Sequence, residues 1–277
     1  MRLIAAGLLK LRTRTATWVA AIVAALLIGV ELVLVGVSLN LPASATGGPD
    51  PTLTRWLVTF PGAYDAILSL VFALGGLIAL IWVAAVAGTE WSWGTMRNAV
   101  VRGESRTRYT LGLFGSIAAI LFLGMLTTFA AGIVGALLGC RIAGLNPGDI
   151  LPAGAIPHVL ASIVRCWIAL TCLASVGFAL TMAARSQMAG VGTVIGVYLA
   201  SVLAPLALPD FLRRIFDYLP FSIAGDAMAL YGPPVKGEAS QISAIVEPTM
   251  ALLVTIAWLV ASLSVAVWAT ERVEIKN

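Results

Sequence analysis

The chain has 277 residues, of which 60% are hydrophobic and only 11% charged, and its mean hydropathy is +1.00. An ordinary soluble domain is about 25% charged, so a soluble enzyme or nucleic-acid-binding domain is excluded. The long unbroken apolar runs also exclude a transmembrane β-barrel, whose strands are short and alternating, and the net charge of +4 bears on membrane orientation rather than on nucleic acid.

The first segment, residues 1–15, places Ile4, Leu8 and Leu11 at helical spacing among Arg2, Lys10, Arg12 and Arg14. This pattern predicts a helix lying in the membrane interface, attracted to anionic lipid. The apolar run that follows exceeds the 7–15 or so residues of a signal-peptide core, so it reads as a retained span. Six spans are expected, at about 17–39, 63–88, 109–140, 156–184, 188–208 and 248–269, since about 20 apolar residues cross a bilayer. The third run is longer than one crossing requires and is expected to tilt or to project beyond the bilayer.

The connections differ in character. Leu39–Gly62 is rich in Pro and Gly and predicts an irregular outer loop shielding span ends. In 209–247, positions 211, 212, 215, 216 and 219 form the apolar face of a short amphipathic helix. A second apolar piece, 221–231, follows and ends at Gly232-Pro233-Pro234. Each piece is too short to cross, so the pair reads as outer half-helices. Lys and Arg divide eleven to five between the two sides, with Arg165 left inside span four. That bias puts both termini, the 88–108 segment and the 270–277 tail in the cytoplasm. The whole of 1–277 reads as a single all-α transmembrane domain.

Catalytic motifs are absent from the sequence. No Lys-Ser or Lys-Thr follows a Gly-rich run, as a P-loop requires, and no Gly-x-Ser-x-Gly elbow occurs. The one histidine, His158, has no ligand-spaced companions, so neither a metal nor a catalytic residue is expected. Cys140, Cys166 and Cys172 read as buried apolar thiols. Two charges stand inside spans: Glu31 and Arg165 lie at similar depth, with opposite sign, and predict an intramembrane pair within one subunit or across a dimer. Asp65 is the alternative partner for Arg165, and Glu31 alone in a wet cavity is the other. Glycines 75, 76, 112, 115, 124, 132, 135, 139, 192 and 196 allow close helix approach.

The densest polarity falls between spans two and three, at Thr89-Glu90-Trp91-Ser92-Trp93-Gly94-Thr95-Met96-Arg97 and on to Arg108. A Glu, then Gly-Thr and an Arg, then Ser-Arg at the next span, here Glu90, Gly94, Thr95, Arg97, Ser105 and Arg106, resembles the permease subunits of ABC-2-type transporters. The six-span layout, the basic interfacial helix and the charged ending Trp268–Ile275 fit the same family. Two features depart from its pattern: Leu113 stands after Gly112 where a Lys is usual, and the Trp91/Trp93 pair is unusually aromatic. The resemblance implies an ATP-driven exporter of an amphipathic substrate, a drug, peptide antibiotic or lipid, in the cytoplasmic membrane. It implies a second permease chain, identical or similar, and a separate ATPase subunit that holds the ATP and Mg, with no cofactor on this chain. It makes 88–108 a coupling helix, with Glu90, Trp91, Trp93, Gly94, Thr95, Arg97, Arg102 and Arg106 as the coupling residues. The rival readings are an ATP-independent secondary transporter or channel, which would carry inverted repeats and broken spans, and a non-transport assembly or immunity protein.

Overall fold

The computed structural model describes residues 2–41, 51–151, 155–207, 209, 214–228 and 246–272. Among these residues the fold is all-helical. Helix α1 (Arg2–Arg12) leads into α2 (Thr15–Ser38), then α3 (Pro51–Val58). Next comes α4 (Gly62–Leu70), joined through a π-helical turn (Val71–Gly75) to α5 (Gly76–Ser92) without a break. The short α6 (Thr95–Val101) precedes α7 (Arg106–Ile142), α8 (Ala155–Ala184), α9 (Gln187–Ala207), α10 (Pro220–Met228) and α11 (Pro248–Glu271).

Five of these elements are long and apolar enough to cross a bilayer: α2, the continuous 62–92 helix, α7, α8 and α11. This is the architecture of a multi-pass membrane protein. The fifth expected span falls on α9, whose stretch Gln187–Ser201 ranks only as a shorter apolar helix. At 1.5 Å per residue the 37-residue α7 is about 55 Å long, well beyond a hydrocarbon core of about 30 Å.

The loop expected to be irregular between Leu39 and Gly62 contains a helix instead. Pro51 opens α3, where its missing N–H costs nothing, and Trp56 folds back over Gly62 so closely that a Cβ there would lie 2.6 Å from the indole. Val58 is fully buried and its carbonyl accepts from the Cys140 thiol at 3.0 Å. All three cysteines are free and buried. The second outer piece forms α10, while the first is described at 214–219, with helical backbone at 214–216. Residues 210–213 of the expected first half-helix, with 229–245 and tail residues 273–277, lie outside the described residues.

Two apolar clusters run end to end through the bundle. At the end that carries α1, Leu11 packs with Trp82, Val86, Phe114, Phe178 and Met182. Towards the other end, Ile28, Leu32, Tyr64, Ile67, Phe129 and Cys166 pack together. Helix α8 is the most enclosed of the spans, touched by α5, α9, α10 and α11, while α2 and α1 lie against α7.

Lipid is as apolar as a leucine side chain, so helix contact in a membrane depends on close approach. The α2–α7 seam supplies it through glycines. A Cβ on Gly36 would lie 2.4 Å from the Gly139 backbone, and one on Gly135 would lie 2.5 Å from the Gly29 carbonyl oxygen. Helix α1 is seated on α7 in the same way: a Cβ on Gly7 would meet the Ser116 hydroxyl oxygen at 2.2 Å, and that hydroxyl donates to the Ile4 carbonyl at 3.1 Å. Gly139→Leu therefore forces α2 away from α7 and costs about 1–3 kcal/mol. In detergent it is expected to lower the melting temperature, whereas Gly124→Ala, whose Cβ meets nothing within 4 Å, leaves it unchanged.

Candidate functional site

The site is built around Glu90, whose side chain is 0% exposed at the end of α5. A buried carboxylate is tolerated when cations and hydrogen bonds replace its water. Lys10 Nζ donates to Glu90 Oε1 at 2.6 Å, and Arg14 Nη2 reaches the same oxygen at 3.4 Å. The other oxygen, Oε2, accepts from the Thr95 hydroxyl and the Tyr109 hydroxyl, each at 2.5 Å. Arg14 also donates through Nη1 to the Thr89 hydroxyl at 2.6 Å. One carboxylate thus ties α1, the α1–α2 junction, the start of α6 and the start of α7 to the end of α5.

Local backbone chemistry brings these groups together. Helix α5 stops because Gly94 adopts φ +63°, a left-handed conformation that closes helices and favours glycine. That turn brings Thr95 back over Glu90, and Asn98 N–H donates to the Gly94 carbonyl to open α6. Gly103, at φ +88°, ends α6. Ser105 caps α7, its hydroxyl accepting from Arg108 N–H at 3.2 Å. Tyr109 then lies one turn into α7, within reach of Glu90.

The residues expected to form one coupling surface separate into several groups. Glu90 and Thr95 face inward. Trp91 is half-buried, with its indole N–H directed at the Met182 sulfur at 3.3 Å. Arg106 turns sideways and donates to the Glu271 carbonyl at 2.9 Å, while Thr107 donates to the Glu271 carboxylate at 2.6 Å. These contacts tie the end of α11 to the start of α7, where a cation also suits the helix C-terminus. Arg102 is exposed, and Trp93 is 64% exposed with the Arg14 guanidinium over its ring at 4.9 Å. Val101 is 75% exposed and Met188, at the start of α9, 87%. Met188 lies at the same end, since Gly88 packs directly on Gln187. The Arg97 side chain lies outside the described residues.

Lys10, Arg14 and Tyr109 belong to the site, although the sequence pattern assigns Lys10 and Arg14 to the interfacial helix and to orientation, and Tyr109 only to a span. A signal was present: a carboxylate at a span end, beside a segment otherwise carrying four arginines, needs cations, and the N-terminal basic cluster is another source on the same side.

The intramembrane pair is corrected in its within-subunit form. Within the protomer Glu31 does not meet Arg165: Glu31 is exposed on α2, whereas Arg165 donates to the Ala227 carbonyl in α10 at 3.3 Å. The physical reason is that α2 packs on α7 and turns Glu31 outward, while α8 packs on α10. The alternative partner, Asp65, stands 4.0 Å from His158 instead.

Removing Glu90 leaves two cations and two hydroxyls without their acceptor. Glu90→Leu is expected to destabilise the protein by about 3–5 kcal/mol, and Lys10→Met to cost less in that background than alone, as a double-mutant cycle of melting temperatures would show. Arg106→Ala is expected to speed amide hydrogen exchange in the last turn of α11 while leaving α8 unchanged; equal exchange at 268–271 would refute the tie.

No family model matches this sequence, and no curated protein shows significant similarity to it.

Proposed function

We propose that the chain is the membrane-spanning subunit of an ATP-driven exporter of the ABC-2 type. Helix α9 supplies a sixth crossing, both termini lie in the cytoplasm, and α6 with its flanking turns is the coupling element. Two such chains, identical or similar, enclose the pathway. An ATPase subunit beneath them binds ATP and Mg. The substrate is an amphipathic molecule, of the class of drugs, peptide antibiotics and lipids, because the spans offer apolar walls and few charges.

The observation that carries this reading is the two-sided build of the 88–108 segment. Its inner side is locked to three other segments through Glu90. Its outer side presents Trp93, Arg102 and Val101 with little cover. An element that receives force must be rigid towards the bundle and available towards its partner. Exposed tryptophan and arginine are also the residue types that anchor protein interfaces. The eleven-to-five bias of basic residues supports a cytoplasmic position for this end.

The test is co-expression with a P-loop ATPase encoded by a neighbouring reading frame. The wild-type chain is expected to capture that ATPase and stimulate its ATP hydrolysis. Trp93→Ala combined with Val101→Asp is expected to cut capture and stimulation at least tenfold (about 1.4 kcal/mol or more), with membrane insertion unchanged. Normal capture by the double variant, or no association in the wild type, would overturn the reading.

A further inference from the structure

Beside the Glu90 cluster lies a chamber of about 900 Å3, within the range of about 300–1,000 Å3 in which ligand sites fall. Helix α1 forms its rim, through Leu8, Leu9 and Arg12. One wall is α2 from Thr17 to Ala24 and the opposite wall is α7 from Ile120 to Thr128. Its back is the second span, where Val71 and Gly75 of the π-helical turn and Trp82 of α5 line it. Single π-turns inside α-helices occur frequently at functional sites. Three of the lining side chains, Leu9, Trp18 and Leu123, are more than half exposed, so the chamber opens on the surface that faces the bilayer.

The polar groups decide what fits. Every lining hydroxyl is already engaged. Thr17 accepts from the Trp82 indole at 3.3 Å, and Thr127 and Thr128 both donate to the Gly124 carbonyl, at 2.7 and 2.8 Å. The Trp18 indole donates to the Arg12 carbonyl at 2.9 Å. That leaves the Arg12 guanidinium. Its neighbours Lys10 and Arg14 are both turned to Glu90, but Arg12 is exposed and forms no ion pair among the described residues. The chamber therefore has apolar walls, a cation at the mouth and no carboxylate in its lining.

We infer that this chamber holds an anionic phospholipid drawn from the bilayer, with acyl chain between α2 and α7 and the headgroup phosphate on Arg12. Burial of each methylene contributes to affinity. The cation supplies selectivity for negative charge, worth about fivefold for one basic side chain near an anionic headgroup. The occupant sits against α1, whose Lys10 holds Glu90, so lipid charge has a short route to the clamp. The inference stands independently of the exporter reading, because it requires neither ATPase nor transport.

The test is native mass spectrometry of the purified full chain, titrated with phosphatidylglycerol and, separately, with phosphatidylcholine of the same acyl chains. The expected result is one tight lipid per chain, with phosphatidylglycerol preferred about fivefold. Arg12→Gln, at an exposed position, is expected to erase that preference while leaving phosphatidylcholine binding intact. Gly124→Phe projects into open space in the chamber and is expected to remove the tight site for both lipids. Equal binding of the two lipids by the wild type, or a preference that survives Arg12→Gln, would overturn the inference. So would a tight site that persists in folded Gly124→Phe, since that describes annular lipid only. If Gly124→Phe does not fold, the Arg12→Gln comparison alone decides.

Discussion

The constraint on which the rest of this structure depends is the burial of one carboxylate. Stripping water from Glu90 is costly by itself, and the fold offsets that cost with two cations and two hydroxyl donors. None of the four comes from α5, the helix that carries Glu90. Lys10 and Arg14 arrive from the N-terminus, Thr95 from beyond the Gly94 turn and Tyr109 from α7. The electrostatic requirement of a single residue therefore fixes how several segments meet at one end of the bundle. It also explains why α1 lies against the bundle rather than drifting in the interface, a placement completed by the Gly7–Ser116 approach.

Elsewhere, cohesion comes from contact distance. Apolar side chains gain little by leaving lipid for protein, so the α2–α7 seam is held where Gly29, Gly36, Gly135 and Gly139 allow backbones to approach. Polar ties close the two ends of the bundle in different ways. At one end Arg106 and Thr107 hold the last turn of α11. At the other, Phe60 N–H donates to the Pro147 carbonyl and the Tyr64 hydroxyl to the Ile150 carbonyl. Between these ends, α8 is enclosed by apolar neighbours. The polar chemistry is thus concentrated where helices end, and the exposed indole of Trp93 projects from the most heavily tied of those ends.

Much of this was legible in the residues. The expected spans at 17–39, 63–88, 109–140, 156–184 and 248–269 agree with the observed helices to within four residues at either end, because apolar run length is set by bilayer thickness and is local information. Ser105 and Gly94 are legible only as motif residues, and their roles as helix cap and left-handed turn come from the structure. Helix α3 was hidden because Pro and Gly dominate its surroundings, although Pro at a first helical position favours a helix. The candidate site was legible in part. Its polarity marked the segment, but polarity does not tell a residue that faces a partner from one that faces its own bundle. The structure turns Glu90 and Thr95 inward and Arg106 sideways, leaving Trp93 and Arg102 outward. Equal depth along α2 and α8 predicted a Glu31–Arg165 pair, yet depth says nothing of rotation about the helix axis, and the packing of α2 on α7 turns Glu31 away.

The sequence by itself determined the membrane class, the length and order of the apolar helices and the side that gathers basic charge. Each follows from composition or from spacing within a few residues. Only the tertiary structure decided which charges meet, which face of α6 is open and where the chamber lies. The Lys10–Glu90 contact spans 80 positions and Arg106–Glu271 spans 165. Such contacts depend on how helices rotate and approach, and that is set by glycine seams and side-chain volumes acting across the whole bundle at once.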